Sequence, residues 1–245
     1  MNLIILIPFF FLIALLYSMA GLGGGSAYIT VMVLTGVPKD IFPVIALLCN
    51  LIVAGQGAIH FRRAGHFRWH LFWPFAATSI PLAYLGGRLY IPDIWFKAIL
   101  AAALSIASIR LLFWKKSKVK VQTEEKSLII KLIIGSLLGL MAGITGIGGG
   151  IYLIPVLILT RLATPQEASA VASLFIVVNS MSGLAGQLSK GHVDWQLFLP
   201  LSVVVFIAGF IGSRIGARRL KGEILQKIVG LIMIIAVAKL ISQIF

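Results

Sequence analysis

Two short glycine runs carry the chemistry this sequence can do without a reactive side chain. Gly21-Leu22-Gly23-Gly24-Gly25-Ser26 recurs as Gly146-Ile147-Gly148-Gly149-Gly150, each inside a long apolar stretch. A glycine costs a helix roughly 1 kcal/mol relative to alanine, so four within five positions should break it. Helix-forming sequence resumes at residues 27–34 and 151–159, which creates a new helix N-terminus within a greasy segment. Such a terminus offers unpaired N–H groups and the positive end of the helix dipole, and both attract an anion. Gly23, Gly24, Gly25 and Ser26, with Gly148, Gly149 and Gly150, are therefore the leading candidate binding residues.

Neutral hydrogen-bonding side chains come next. Asn50 and Asn179 fall near the middle of apolar runs, and Gln56 and Gln187 each sit in an Ala-Gly-Gln triplet. With Ser26, Thr145, Ser180 and Ser182 they could bind oxyanion oxygens. Each has a plainer reading. The glycines also satisfy the small-xxx-small pattern of close helix packing, and a buried amide can simply join two helices. Arg88 and Arg214, near the ends of matching segments, recruit anions at the two mouths or only snorkel to the interface. His66, His192, Trp69 and Trp195 read as interface anchors.

The missing groups narrow the chemistry. All seven acidic residues lie in loops or at span ends, so a carboxylate proton relay or cation path lacks its parts. No His-Glu-x-x-His, Gly-x-Ser-x-Gly or intramembrane aspartate pair is present, which argues against an enzyme. Neither glycine run completes Gly-x-Gly-x-x-Gly, since Ser26 and Ile151 stand at the third glycine. The lone Cys49 excludes an internal disulfide, and nothing calls for a metal or other cofactor.

The elements that position these groups are membrane spans. The 245 residues are 60% hydrophobic and 11% charged, too few charges to cover a soluble domain of this size. The reading is an all-α polytopic membrane protein, with the lipid bilayer as its main partner. Helices are expected at 2–20 and 26–36 around the first break, with full-length spans at 41–61, 69–90 and 94–114. In the second half they are expected at 128–142 and 151–160, with spans at 166–188, 195–216 and 224–244. The net charge of +14 arises from Lys and Arg in short loops, as positive-inside topology requires, and not from nucleic-acid binding.

The chain reads twice. Gly65-His66-x-x-Trp69-x-Leu71-Phe72-x-Pro74 matches Gly191-His192-x-x-Trp195-x-Leu197-Phe198-x-Pro200, and Gly86-x-Arg88 matches Gly212-x-Arg214. Asn50 is aligned with Asn179, and Gln56 with Gln187. This gives a first membrane repeat at 1–114, a basic cytoplasmic linker at 115–127 and a second repeat at 128–245. Inverted halves put 16 Lys and Arg inside and 5 outside, whereas parallel halves put 12 and 9, so charge favours inversion. Both termini then face outward. A helix at 26–36 would be only about 16 Å long against a core of roughly 30 Å, so its start must lie deep in the bilayer.

Two halves, each with a Gly-x-Gly-Gly-Gly break in its first apolar segment, resemble the TauE/SafE sulfite exporter family of bacterial permeases. The resemblance covers the whole chain. It implies a carrier in the bacterial inner membrane for sulfite or related sulfur-containing anions, including organosulfonates, and it transfers no defined residue roles. Duplicated membrane folds are commonly alternating-access transporters. A channel for anions or neutral solutes, a membrane scaffold and a homo-oligomer all stay open at this level.

Overall fold

The computed structural model describes residues 3–38, 41–89, 127–189 and 192–221, with isolated positions at 105 and between 224 and 238. The expected span at 94–114, the linker and most of 224–244 lie outside the described residues. Eight helices are described in full: α1 (Leu3–Met19), α2 (Gly25–Leu34), α3 (Phe42–Arg63), α4 (Trp69–Arg88), α5 (Leu128–Thr145), α6 (Gly150–Leu159), α7 (Pro165–Gln187) and α8 (Trp195–Arg218). No strand occurs among the described residues. Both glycine runs interrupt helices, between α1 and α2 and between α5 and α6.

Four helices, α3, α5, α7 and α8, are long and apolar enough to cross a bilayer. The expected span at α4 falls short of that measure, because its tryptophans, His70, Pro74 and Pro81 dilute the apolar run. Conversely, α5 qualifies because it continues to Thr145, three residues past its expected end. Two helix starts follow local capping rules. Thr164 and Glu167 form a capping box at α7, and Asp194 Oδ1 accepts from the Leu197 N–H at α8.

Packing is dominated by α4 on both α5 and α7, α1 on α8, and α3 on both α7 and α8. Glycine builds three of these seams, one of them between α4 and α7, where Gly87 meets Gly183 and Gly186. Gly135, Gly139 and Gly143 of α5 lie against the backbone of Phe75, Ser79 and Ala83 of α4, so these helices run parallel. Gly212 and Gly216 of α8 meet Leu15 and Met19 of α1 in the same way. Within lipid there is no hydrophobic gain in joining two helices, so close backbone approach supplies the attraction instead. The two glycine runs are closely packed as well, since a Cβ on Gly21, Gly23, Gly25 or Gly150 would lie under 3.0 Å from a neighbouring atom.

Helices α3 and α7 run antiparallel. A Cβ on Gly57 would lie 3.0 Å from Ser173 Oγ, and one on Gly183 would lie 3.8 Å from Leu47 Cδ1. Contacts also recur at the 126-residue offset of the Trp motifs. Gln56 Nε2 donates to Phe206 O at 3.1 Å, and Ser182 Oγ donates to Ile80 O at 2.5 Å. Asn50 faces Gly25 as Ile176 faces Gly150. This register corrects the sequence alignment: Gln56 corresponds to Ser182 and not Gln187, and Asn50 to Ile176 and not Asn179. The identical side chains were chance matches three and five residues out of step.

The α4–α5 seam yields a stability prediction. Gly139→Val drives two methyl groups into the Ser79 backbone and should cost about 3 kcal/mol or more. Leu137→Val, on the exposed side of α5, should stay within about 0.5 kcal/mol. Thermal unfolding in detergent compares them, and equal melting points would refute the seam.

Candidate functional site

At the first break α1 ends in a tight turn, with Leu22 N–H bonded to Tyr17 O at 2.9 Å. Gly24 then adopts φ +96°, a left-handed conformation that side-chain-bearing residues rarely take, and α2 starts afresh at Gly25. At the second break α5 closes on Gly146, and Thr145 Oγ1 accepts from the Ile147 N–H at 3.3 Å. Gly148 and Gly149 follow at φ +81° and +76°, and Gly149 caps α6. Residues 21–26, 146 and 148–150 are all buried.

One side chain joins the two breaks. Asn50, fully buried in the middle of α3, accepts from the Gly25 N–H through Oδ1 at 2.9 Å. Its Nδ2 donates to Ile147 O across the other break at 3.2 Å. A Cβ added to Gly25 would lie 3.2 Å from Gly146 O, so the two runs themselves touch. A Cβ on Gly148 would lie 3.1 Å from Asn50 Nδ2 and 3.0 Å from Ser180 Oγ. Two helix N-termini, with their positive dipole ends, therefore meet within reach of a single amide.

The surroundings of the two ends differ. Ser173 Oγ, from α7, lies 2.9 Å from Gly21 O and 2.7 Å from Ser169 O. Ser26 Oγ is 3.5 Å from the Tyr17 hydroxyl, and Tyr28, fully buried, stacks on Phe10 at 4.5 Å. Around the second end, none of the hydrogen bonds of the described residues is donated by the Gly148, Gly149 or Gly150 N–H. Buried Asn179 bonds Phe175 O through Nδ2 at 2.8 Å, which leaves Oδ1 without a partner, and Ser180 Oγ has none either.

The other expected residues lie elsewhere. Gln56 sits six residues beyond Asn50, about 9 Å along α3, and ties that helix to α8. Gln187 ties α7 to α5 through Gly143 O at 2.9 Å. Both amides join helices through their N–H groups, and Gln56 Oε1 stays buried without a partner. Arg88 is exposed and folds back over the Tyr84 ring at 5.6 Å, and Arg214 is also exposed. Trp69 and Trp195 are exposed, with Arg62 over the Trp69 ring at 5.6 Å. Sequence reasoning missed Ser173 and the Arg68–Glu167 ion pair at 2.8 Å. The spacing of Ser169, Ser173 and Ser180, at i, i+4 and i+11, would have marked one polar stripe on α7.

Among the described residues no group of three His, Cys, Asp or Glu could hold a metal ion. The chemistry available is hydrogen bonding from backbone and amide, in a centre without fixed charge. Asn50→Leu strands a buried N–H and a buried C=O together and should cost about 3 kcal/mol. Asn179→Leu breaks only a bond within its own helix and should cost about 1 kcal/mol. Unfolding in detergent measures both, and similar losses would contradict the bridging role.

The family model described as "Sulfite exporter TauE/SafE" matches residues 6–240. "Probable membrane transporter protein y4hK" of Sinorhizobium fredii is 30% identical over 236 residues, 95% of each chain. "Probable membrane transporter protein MJ0441" of Methanocaldococcus jannaschii is 24% identical over 85% of this chain and 82% of its own. "Probable membrane transporter protein YunE" of Bacillus subtilis is 28% identical over 46% of this chain and 41% of its own. No solved structure matches. A whole-length match to the family model, on a helical membrane chain with two glycine-broken helices meeting at its centre, makes this protein a member of the TauE/SafE family of membrane transporters.

Proposed function

We propose that this protein is an inner-membrane carrier that exports small sulfur-containing anions such as sulfite or organosulfonates. One observation carries the reading: two helix N-termini meet at a buried centre, and of the N–H groups of Gly23 to Gly25 and Gly148 to Gly150 only that of Gly25 is bonded. Irregular backbone at membrane depth is tolerated only where it is buried in protein or faces a cavity or solute. Here Gly23, Gly24, Gly25, Ser26, Asn50, Asn179 and Gly148 to Gly150 surround the anion, while Gln56 and Gln187 hold the helices that carry them. The reaction is transport and not catalysis.

The frame of the carrier is an inverted repeat, 1–114 against 128–245, joined by the cytoplasmic linker at 115–127. The antiparallel packing of α3 on α7 supports this, because a twofold axis in the membrane plane reverses each helix relative to its counterpart. The contacts that recur at a 126-residue offset support it as well. The termini then lie on the periplasmic side. Rocking of one half against the other exposes the centre to each side in turn.

Such a carrier needs no proton relay to export. The inside-negative potential favours anion exit by about 2.3 kcal/mol per charge per 100 mV. Sulfite efflux from proteoliposomes should therefore speed up when an inside-negative potential is imposed. Flux that ignores the potential would contradict electrogenic export, and flux that never saturates would point to a channel.

Arg68 precedes α4 and Glu167 opens α7, so their ion pair spans the two repeats at the α3 C-terminal mouth. It acts as a latch on that mouth. Arg68→Gln should change the rate of sulfite flux several-fold and leave the melting point within about 1 kcal/mol, since exposed pairs add little stability. An unchanged rate in both directions would remove the latch from the mechanism.

A further inference from the structure

The two helix ends are chemically unequal. At the first, Asn50 Oδ1 takes the Gly25 N–H, and Ser173 Oγ lies against Gly21 O. At the second, the place of Asn50 is held by Ile176, whose side chain packs on Gly150 and accepts nothing. The Gly148, Gly149 and Gly150 N–H groups therefore stay uncommitted. As Tyr28 Oη and Ser169 Oγ do at the first end, two buried oxygens accompany them without partners, Ser180 Oγ and Asn179 Oδ1, on residues with no exposed surface.

Both oxygens belong to the face of α7 that covers the second break. Ser180 Oγ lies 3.0 Å from where a Cβ on Gly148 would be. Phe175 faces Gly149 and Gly183 faces Gly143, so Asn179, one turn from each, stands opposite the bend between them. The Asn179 amide is fixed by its bond to Phe175 O, so its unpaired atom is an acceptor. An unsatisfied buried polar group costs about 1–3 kcal/mol, and several gathered around one helix end form a site that a ligand completes. A bare oxyanion would suit the N–H groups and the serine, but it would be repelled by the carbonyl oxygen of Asn179.

Building on the carrier reading above, we propose that the second break grips the oxyanion end of the ligand, with Ser180 and Asn179 as its specificity determinants. The ligand is a sulfur oxyanion that carries one hydrogen-bond donor, either the hydroxyl of hydrogensulfite or the ammonium of an aminosulfonate. Oxyanion oxygens accept from Gly148 to Gly150 and Ser180, and the donor is received by Asn179 Oδ1. At the first end Asn50 serves the Gly25 N–H as a built-in ligand.

Isothermal titration of the full chain in detergent tests this, with sulfite and sulfate each measured below and above neutrality. Taurine and methanesulfonate form a second pair, one with an ammonium donor and one without. Sulfite should bind several-fold tighter below neutrality, where hydrogensulfite predominates, while sulfate gains nothing. Taurine binding tighter than methanesulfonate, without a pH gain for sulfite, also supports the proposal and identifies ammonium as the donor. Ser180→Ala should weaken binding about ten-fold, the loss of one hydrogen bond to a charged group. Ser169→Ala, which removes an equally unpaired hydroxyl from α7 beside the first break, should leave affinity within about two-fold. Asn179→Leu should erase the preference for donor-bearing ligands. If that variant fails to fold, the wild-type pairs decide the question alone. Full affinity in Ser180→Ala, or no preference in either pair, overturns the assignment and leaves the carrier reading intact. A wild-type chain that binds no sulfur oxyanion overturns both.

Discussion

A peptide group taken out of a helix and kept away from water must find another partner. That constraint governs the centre of this protein. Both apolar segments are broken by glycine, and each break frees backbone donors and acceptors at a depth where lipid offers none. Asn50 answers the constraint with one amide, which accepts from one break and donates to the other. The rest of the architecture brings α3 to that position. The glycine seams hold α5 on α4 and α1 on α8, and they set the positions from which the two runs approach each other.

The sequence repeat is closer to exact at the periphery than at the centre. The Trp-containing starts of α4 and α8, the glycine–arginine pairs and the ties from Gln56 and Ser182 all keep a 126-residue step. At the heart the step places Ile176 opposite Asn50. The repeated sequence at the periphery therefore encloses a centre where the repeat fails. Unpaired buried oxygens remain at both ends, Tyr28 Oη and Ser169 Oγ at the first and Ser180 Oγ at the second, so the ends differ in what takes the helix-starting N–H. Dipole ends and amides in a centre without fixed charge would suit an anion that must be released again.

Much of this could be read from the chain itself. Four glycines in five residues have a direct conformational consequence, and both breaks fall where the glycines put them. The Trp motifs reveal the duplication because several residue types recur together at fixed spacing. Asn50 was legible as a buried amide in an apolar run, although its task of joining the two breaks was not. The pairing of Asn50 with Asn179 failed for a physical reason. Identical residues a few positions out of step occupy different faces of a helix, and only packing reveals the register. Ser173 escaped notice because a serine in an apolar helix usually bonds its own preceding turn, as Ser173 does to Ser169 O. Gln56 and Gln187 looked like ligand groups for the same reason that they make good helix ties, since a buried amide must bond to something.

The central claim is that an anion sits where the broken helices meet. A structure determined with selenite, a heavier analogue of sulfite, would locate it directly by anomalous scattering. The account predicts a single anomalous peak within hydrogen-bond reach of the Gly149 and Gly150 N–H groups and Ser180 Oγ. Peaks only at the mouths beside Arg88 and Arg214, with the centre empty, would contradict it.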